Sequence, residues 1–140
     1  MSDQAFSDKA AALLARSETC LLGAVDACGY PVQWAMLRPE EHVDMNNIVF
    51  TTNTSSRHVA QYRDNDQASL YCYDPQLFQG LLLQGRMRIS RDQTLLNRIW
   101  RDGYNLYYQL GPTDPDYCAM LFTSEKGRWY EDLHSTDFTP

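Results

Sequence analysis

Apolar residues recur at helical spacing across SDKAAALLAR, residues 7–16, with Ser7 placed as a cap and Asp8 in the first turn. The pattern predicts an amphipathic opening helix. The period then shortens. CLLGAVD (20–26) and YPVQWAML (30–37) flank a Gly-containing ACG and predict a β-hairpin, and a polar loop (38–46) leads to a third strand, NIVFTT (47–52). In SRHVAQYRDND (56–66), Val59 and Tyr62 share one face of a short helix that ends in a polar cluster.

ASLYCYD (68–74) and LLLQGRMRIS (81–90) alternate as strands, with PQLFQG between them as a loop and Gly85 as a candidate bulge. Helical spacing returns at Leu95, Leu96, Ile99, Trp100, Leu106 and Tyr107, interrupted at Gly103. GPTDPDY (111–117) reads as a loop. CAMLFTS (118–124) and GRWYED (127–132) are expected to form a hairpin around Glu125 and Lys126, followed by a frayed tail, HSTDFTP. Six or seven short strands with three helices and no βαβ alternation predict an antiparallel sheet closed into a small barrel, with helices at its ends.

Composition narrows the function. The 140 residues suffice for one domain, taken as 1–140 with a core of about 8–130 and a tail from 131, and 44% hydrophobic content can fill its core. A net charge of −6 with no basic stripe argues against a nucleic-acid partner. The first residues lack a signal-peptide pattern and no later run approaches a membrane span, so a cytoplasmic location is expected. Cys20, Cys28, Cys72 and Cys118 show no CxxC pairing, so no metal site is expected and the thiols read as reduced and mostly buried, with Cys28 the most exposed.

The stretch TTNTSSRH (51–58) carries the most specific chemical signal. Free N–H groups at a helix start, hydroxyls and Arg57 converge there, and the helix dipole favours an anion. Arg57 can offer a bidentate fork to a phosphate, and His58 a donor whose charge depends on pH. The competing reading is plain: Ser and Thr before a helix are ordinary caps. A second signal, the stripe Trp100, Tyr104, Tyr107 and Tyr108, fits core or subunit interface better than a cofactor box. Asp114 and Asp116 flank Pro115 and read as turn-forming acids rather than paired catalytic carboxylates, while His42 and His134 read as surface residues. No nucleophilic triad, GxGxxG or P-loop is present.

The ordered series GYPVQWAMLR, IVFTTNTSSRHVAQYRDNDQASLYCYD, LLLQGRMRI and RIWRDGYNLYYQLGPTDPDYCAMLFTSEKGRWY resembles the pyridoxamine 5′-phosphate oxidase-related, FMN-binding split-barrel family, and within it the general-stress-protein-26-like branch. The resemblance spans about Asp8 to Tyr130. It implies a six-stranded antiparallel split barrel that forms a homodimer with FMN in a cleft between subunits. The family's phosphate-binding stretch resembles Thr52, Ser56, Arg57 and His58, where His replaces the usual Lys and leaves less positive charge when neutral. By the same resemblance, Arg38 lies where a basic residue approaches the flavin or its phosphate, and Trp34, Ala35, Met36 and Leu37 are the segment against the ring. Only alternate residues of that segment can face one side. Thr51 is placed to donate through its backbone or hydroxyl, and Trp100 and Tyr107 to cover the ring edge, while Trp34 and Met36 equally fit core or dimer interface.

These features point to an FMN-dependent oxidoreductase of unspecified substrate, with no obligatory protein acid or base. A true pyridoxamine-phosphate oxidase is disfavoured because WYEDLHSTDFTP lacks the arginine and histidine motif that, by resemblance, clasps the substrate phosphate. The rival readings are a non-catalytic module that stores or senses flavin, or binds haem, and a cofactor-free dimer that uses the cleft as an interaction surface.

Overall fold

Helix α1, Asp3–Arg16, opens the chain. Its cap is Ser2, whose Oγ accepts the Ala5 N–H, so the helix starts a turn before the expected Ser7. It buries Phe6, Ala10, Leu13 and Leu14 on one face. The computed structural model describes residues 1–42 and 44–140. Within them lie eight strands: β1 (Thr19–Val25), β2 (Pro31–Leu37), β3 (Glu41–His42), β4 (Ile48–Asn53), β5 (Gln67–Asp74), β6 (Gln79–Ser90), β7 (Tyr117–Glu131) and β8 (His134–Phe138). Helix α2 is Arg57–Asp64 and helix α3 is Gln93–Ile99.

All the strand pairings are antiparallel, in the order β2-β1-β5-β6-β7-β4-β3, with β8 added to β7. The sheet curls into a half-barrel. One face holds the larger core, where Leu22, Phe50, Leu70, Leu83, Met120 and Phe122 are almost wholly buried. On the opposite face of β4 and β7, α3 covers a second cluster of Val49, Leu95, Leu96, Ile99, Tyr108, Tyr117 and Ala119. The mostly β antiparallel class agrees with the sequence reading, but the sheet is an open half-barrel rather than a closed barrel and has eight strands rather than six or seven, with β3 inside the expected polar loop 38–46 and β8 in the expected tail.

Three local expectations fail. The hairpin around Glu125 and Lys126 does not form, because β7 runs unbroken through them. Neither residue supplies the Gly, Asn or Asp chemistry that a tight turn needs. Instead the register slips there: Gln84 faces Lys126 and Gly85 faces Ser124, so Glu125 is the extra residue of a bulge. Gly85 is required by close approach, since a Cβ there would lie 1.9 Å from the Thr123 carbonyl oxygen. The tail is ordered rather than frayed: β8 pairs with β7, and Phe138 is buried, stacking on Phe6 at 5.6 Å between ring centroids. Burial of an aromatic ring supplies the free energy that a polar pattern such as HSTDF conceals. Finally, α3 stops at Ile99, so the aromatic stripe does not lie on one helix face. Trp100 is extended, Gly103 adopts φ 95°, and Tyr104–Leu106 form a single 3-10 turn.

Candidate functional site

The strand order ends at β2 on one side and β3 on the other, and β8 adds a third edge beside β7. The β4–α2 turn approaches the β2 edge, and side chains bridge the split. His58, in the first turn of α2, stacks on Trp34 of β2 with centroids 4.6 Å apart and planes 12° from parallel. Tyr62, one helical turn further on, tilts against the same indole at 5.8 Å and donates to the Gly23 carbonyl at 2.8 Å. These contacts seat the hydroxyl-rich turn against β2 along a seam, the candidate cleft.

Alternation sorts the expected site residues. On β2, Trp34 and Met36 pack against the main core, while Ala35 and Leu37 face outward, Leu37 being 78% exposed. On β4, Thr51 and Thr52 point to opposite faces. Thr52 Oγ1 lies 2.8 Å from His58 Nε2 within the cleft. Thr51 Oγ1 donates to Glu40 Oε1 at 3.3 Å on the outer face. The Thr51 hydroxyl is therefore engaged away from Thr52, and its backbone pairs with Ala119 of β7.

The turn itself is braced by Asp116. Its carboxylate accepts from the Ser55 N–H at 2.8 Å and from Asn53 Nδ2 at 3.0 Å, and its carbonyl accepts from the Thr54 N–H at 2.7 Å. Hydrogen bonds from the Ser55 and Asn53 side chains and the Ser55 backbone hold the Asp116 carboxyl below its ordinary pKa. Asp114 fixes the neighbouring loop by accepting the Leu110 N–H, so both acids do the turn work expected of them. One donor of the anion-favouring turn is thus taken by the chain's own carboxylate.

Other donors are left over. Ser56 stands at the N-cap of α2, yet its Oγ makes no cap hydrogen bond and is buried without a partner. Across the cleft, Trp34 Nε1 is also buried without a partner. Unmade hydrogen bonds at buried polar atoms cost roughly 1–3 kcal/mol each. Arg57 and Arg38 are exposed and make no ion pair among the described residues. Burial lowers the pKa of His58, which favours the uncharged imidazole. The positive charge near the turn therefore comes from arginine.

The outer face of β4 is arranged differently. Glu40 takes the Tyr104 hydroxyl in a short hydrogen bond and pairs with Arg101 Nε at 2.5 Å, with its side chain only 9% exposed. Burial, then the hydrogen bond to Glu40, raises the Tyr104 pKa. Trp100 meets Tyr104 and Tyr117 edge-on, at 5.6 and 5.2 Å. Tyr107, in contrast, is 71% exposed. The residues expected from sequence therefore divide. Trp34, Thr52, Ser56, Arg57 and His58 gather at the cleft, and Arg38 follows the end of β2. Thr51 and Trp100 join the outer cluster, while Tyr107 stands on the surface. Glu40 and Tyr62 carry no mark in the sequence as parts of this region, and Asp116 reads there only as a loop acid. Its role depends on the β4–β7 pairing that sets Asn53 opposite Tyr117.

A groove of about 670 Å³ crosses the sheet at Val25, Gln33, Ser69, Arg86 and Lys126, but none of the expected residues lines it.

Residues 6–130 match the family model described as pyridoxamine 5′-phosphate oxidase. The chain belongs to this family. A solved structure from Clostridium acetobutylicum, of a protein related to general stress protein 26 of B. subtilis in the pyridoxinephosphate oxidase family, is 33% identical, with a TM-score of 0.86 over 99% of this chain and 96% of that one. General stress protein 26 from Bacillus anthracis str. Sterne superposes with a TM-score of 0.76 at 18% identity, over 94% of this chain and 97% of that one. A pyridoxamine 5′-phosphate oxidase-related, FMN-binding protein from Nostoc punctiforme PCC 73102 gives 0.76 at 15% identity, with 96% of each chain covered. The last two likenesses speak for the fold. No curated protein matches the chain. Among the described residues, no helix is long and apolar enough to cross a membrane.

Proposed function

We propose that this member of the pyridoxamine 5′-phosphate oxidase family binds FMN in the cleft between β2 and the β4–α2 turn, and that it serves as an FMN-dependent oxidoreductase. The carrying observation is the unpartnered, buried Ser56 Oγ beside the unpaired Arg57 at the start of α2. A phosphate group satisfies both and gains from the helix dipole. On the same reading, Thr52 and His58 complete the phosphate side, Arg38 adds charge at the end of β2, and the strand from Trp34 to Leu37 lies along the isoalloxazine. FMN supplies two-electron chemistry when bound. The chain's part is to hold and orient it and to place cationic donors near the charge that develops on reduction.

On the outward face of β2, opposite Trp34, Leu37 is exposed, which supports a homodimer whose second subunit covers that face. Trp100 and Tyr107 would reach a flavin only across such an interface. A cytoplasmic setting is part of the same proposal. Turnover of pyridoxamine phosphate itself is outside this proposal, and residues 134–138 build β8.

The deciding experiment is an absorption spectrum before and after adding FMN and removing the excess, followed by titration with NADH or NADPH. Retained flavin bands that bleach with a nicotinamide donor support the oxidoreductase. A colourless protein that releases added FMN removes the reading altogether. One observation favours a second reading, a flavin-holding module without turnover: the Thr52–His58 hydrogen bond and the Asp116 carboxylate already occupy donors of the turn. Flavin retained but reduced only by dithionite would select it.

A further inference from the structure

Two of the four cysteines meet across the β1–β5 pair. The ladder joins Leu22 to Leu70 and Leu21 to Tyr71, so the next residues outward, Cys20 and Cys72, stand opposite one another. Both side chains face the main core and are almost wholly buried, 2% and 1% exposed. Opposed Cβ atoms in antiparallel strands lie about 4.5–5.5 Å apart, and a disulfide needs about 3.5–4.5 Å. The β1–β5 pairing stops at Leu21, one residue short of Cys20.

We propose that Cys20 and Cys72 are an oxidation site that closes to an intrachain cross-strand disulfide on exposure to a small neutral peroxide. In the first step, the Cys20 sulfur attacks one peroxide oxygen, the O–O bond breaks, and water leaves, giving a sulfenic acid. The Cys72 sulfur then attacks that sulfur, the S–O bond breaks, and a second water leaves with the proton from Cys72. Two thiols are oxidised by two electrons and one hydrogen peroxide is reduced to two waters. A hydrogen bond from Cys72 lowers the Cys20 pKa, while the same partner and burial raise that of Cys72. The Ser17 hydroxyl, at the end of α1, faces Cys72 and itself donates to the Leu13 carbonyl at 2.7 Å.

The consequence is mechanical. Cys20 also pairs with Met36, so the bond ties the edge strand carrying Trp34 to β5 through β1. Cys118, by contrast, is buried against the Thr52 carbonyl with no second thiol, and Cys28 is exposed in the β1–β2 turn.

The test uses the full chain carrying Cys28→Ser, which removes the exposed thiol. The folded protein is treated with hydrogen peroxide, quenched, alkylated in denaturant and digested without reductant. The expected result is a peptide cross-linking Cys20 to Cys72, a chain lighter by two hydrogens, and restoration of both thiols by dithiothreitol. Full alkylation of Cys20 and Cys72 after peroxide overturns the proposal. So does a cross-link that forms only when the chain is unfolded first. Because the readout is chemical, it stands whether or not the protein binds flavin.

Discussion

Thr51 and Thr52 are adjacent, yet they belong to regions built on opposite principles. On the outer face, Thr51 and Tyr104 donate to Glu40 Oε1 and Arg101 pairs by charge with its Oε2, and the aromatic rings of Trp100, Tyr108 and Tyr117 pack over them. In the cleft, Thr52 and His58 pair, but Ser56 Oγ and Trp34 Nε1 are buried with nothing to bond, and Arg57 projects without a counter-ion. A cluster whose one buried carboxylate is held by an arginine and two hydroxyls spends its polar capacity on stability, whereas uncharged polar atoms left without a partner beside a free arginine mark where a ligand can contribute what the chain does not. The lesson is that residue type alone, hydroxyls and aromatics in both places, does not separate scaffold from site.

The sharpest way to break this comparison is Trp100→Ala. If Trp100 is scaffold, the loss of a half-buried indole should cost about 2–4 kcal/mol of folding stability, read by denaturant unfolding, with FMN affinity little changed. Unchanged stability with weakened flavin binding would move Trp100 into the site. Next in size, Arg57→Ala should weaken FMN binding by about 1.5–3 kcal/mol, measured by fluorescence titration, and leave thermal stability alone. Equal affinity for the variant would remove Arg57 from the phosphate.

The two threonines offer a smaller contrast. Thr52→Val should weaken FMN binding by about 1 kcal/mol, since it frees His58, while Thr51→Val should leave affinity unchanged and lower stability by a comparable amount. The reverse assignment would show that the outer hydroxyl, not the inner one, serves the ligand.

Smallest is the pH effect of His58. Burial sets its folded pKa below the ordinary value of 6.5, so the fold favours the neutral ring. The contribution is complete above 6.5 and is lost as pH falls from there towards the folded pKa, because the unfolded state takes up the proton first. Wild-type melting temperature should therefore fall more than that of His58→Asn over this acidic window. Parallel curves would mean the imidazole is not desolvated. In the same position, His58→Lys should tighten FMN binding most at alkaline pH, where the imidazole carries no charge.

Much of the cleft was legible from the chain alone because its residues lie close together in sequence. TTNTSSRH places a strand end, a turn and a helix start within eight residues, and their geometry is local. Asp116 was legible only as a turn former, since its grip on Ser55 arises from a pairing between strands more than sixty residues apart. The aromatic stripe misled for a related reason. Spacing from Trp100 to Tyr108 fits a helix, but Gly103 breaks it, and the rings are held instead by Tyr117 on β7 and, for Tyr104, by Glu40 after β2. Even the missing hairpin at Glu125 reflects long-range pairing, because β6 carries β7 straight past the bulge at Gly85.

By itself the sequence determined the mostly β class, the opening helix, the β1–β2 hairpin, and the turn that gathers Thr52, Ser56 and Arg57, all of them set by periodicity and capping over a few residues. Only the tertiary structure decided which faces of β2 and β4 meet the cleft, that β8 closes over Phe6 through Phe138, that Glu40 belongs to the aromatic cluster, and that Cys20 stands opposite Cys72. Those are matters of register between strands far apart in the chain. Register is chosen by the burial of whole faces at once, which no local pattern contains.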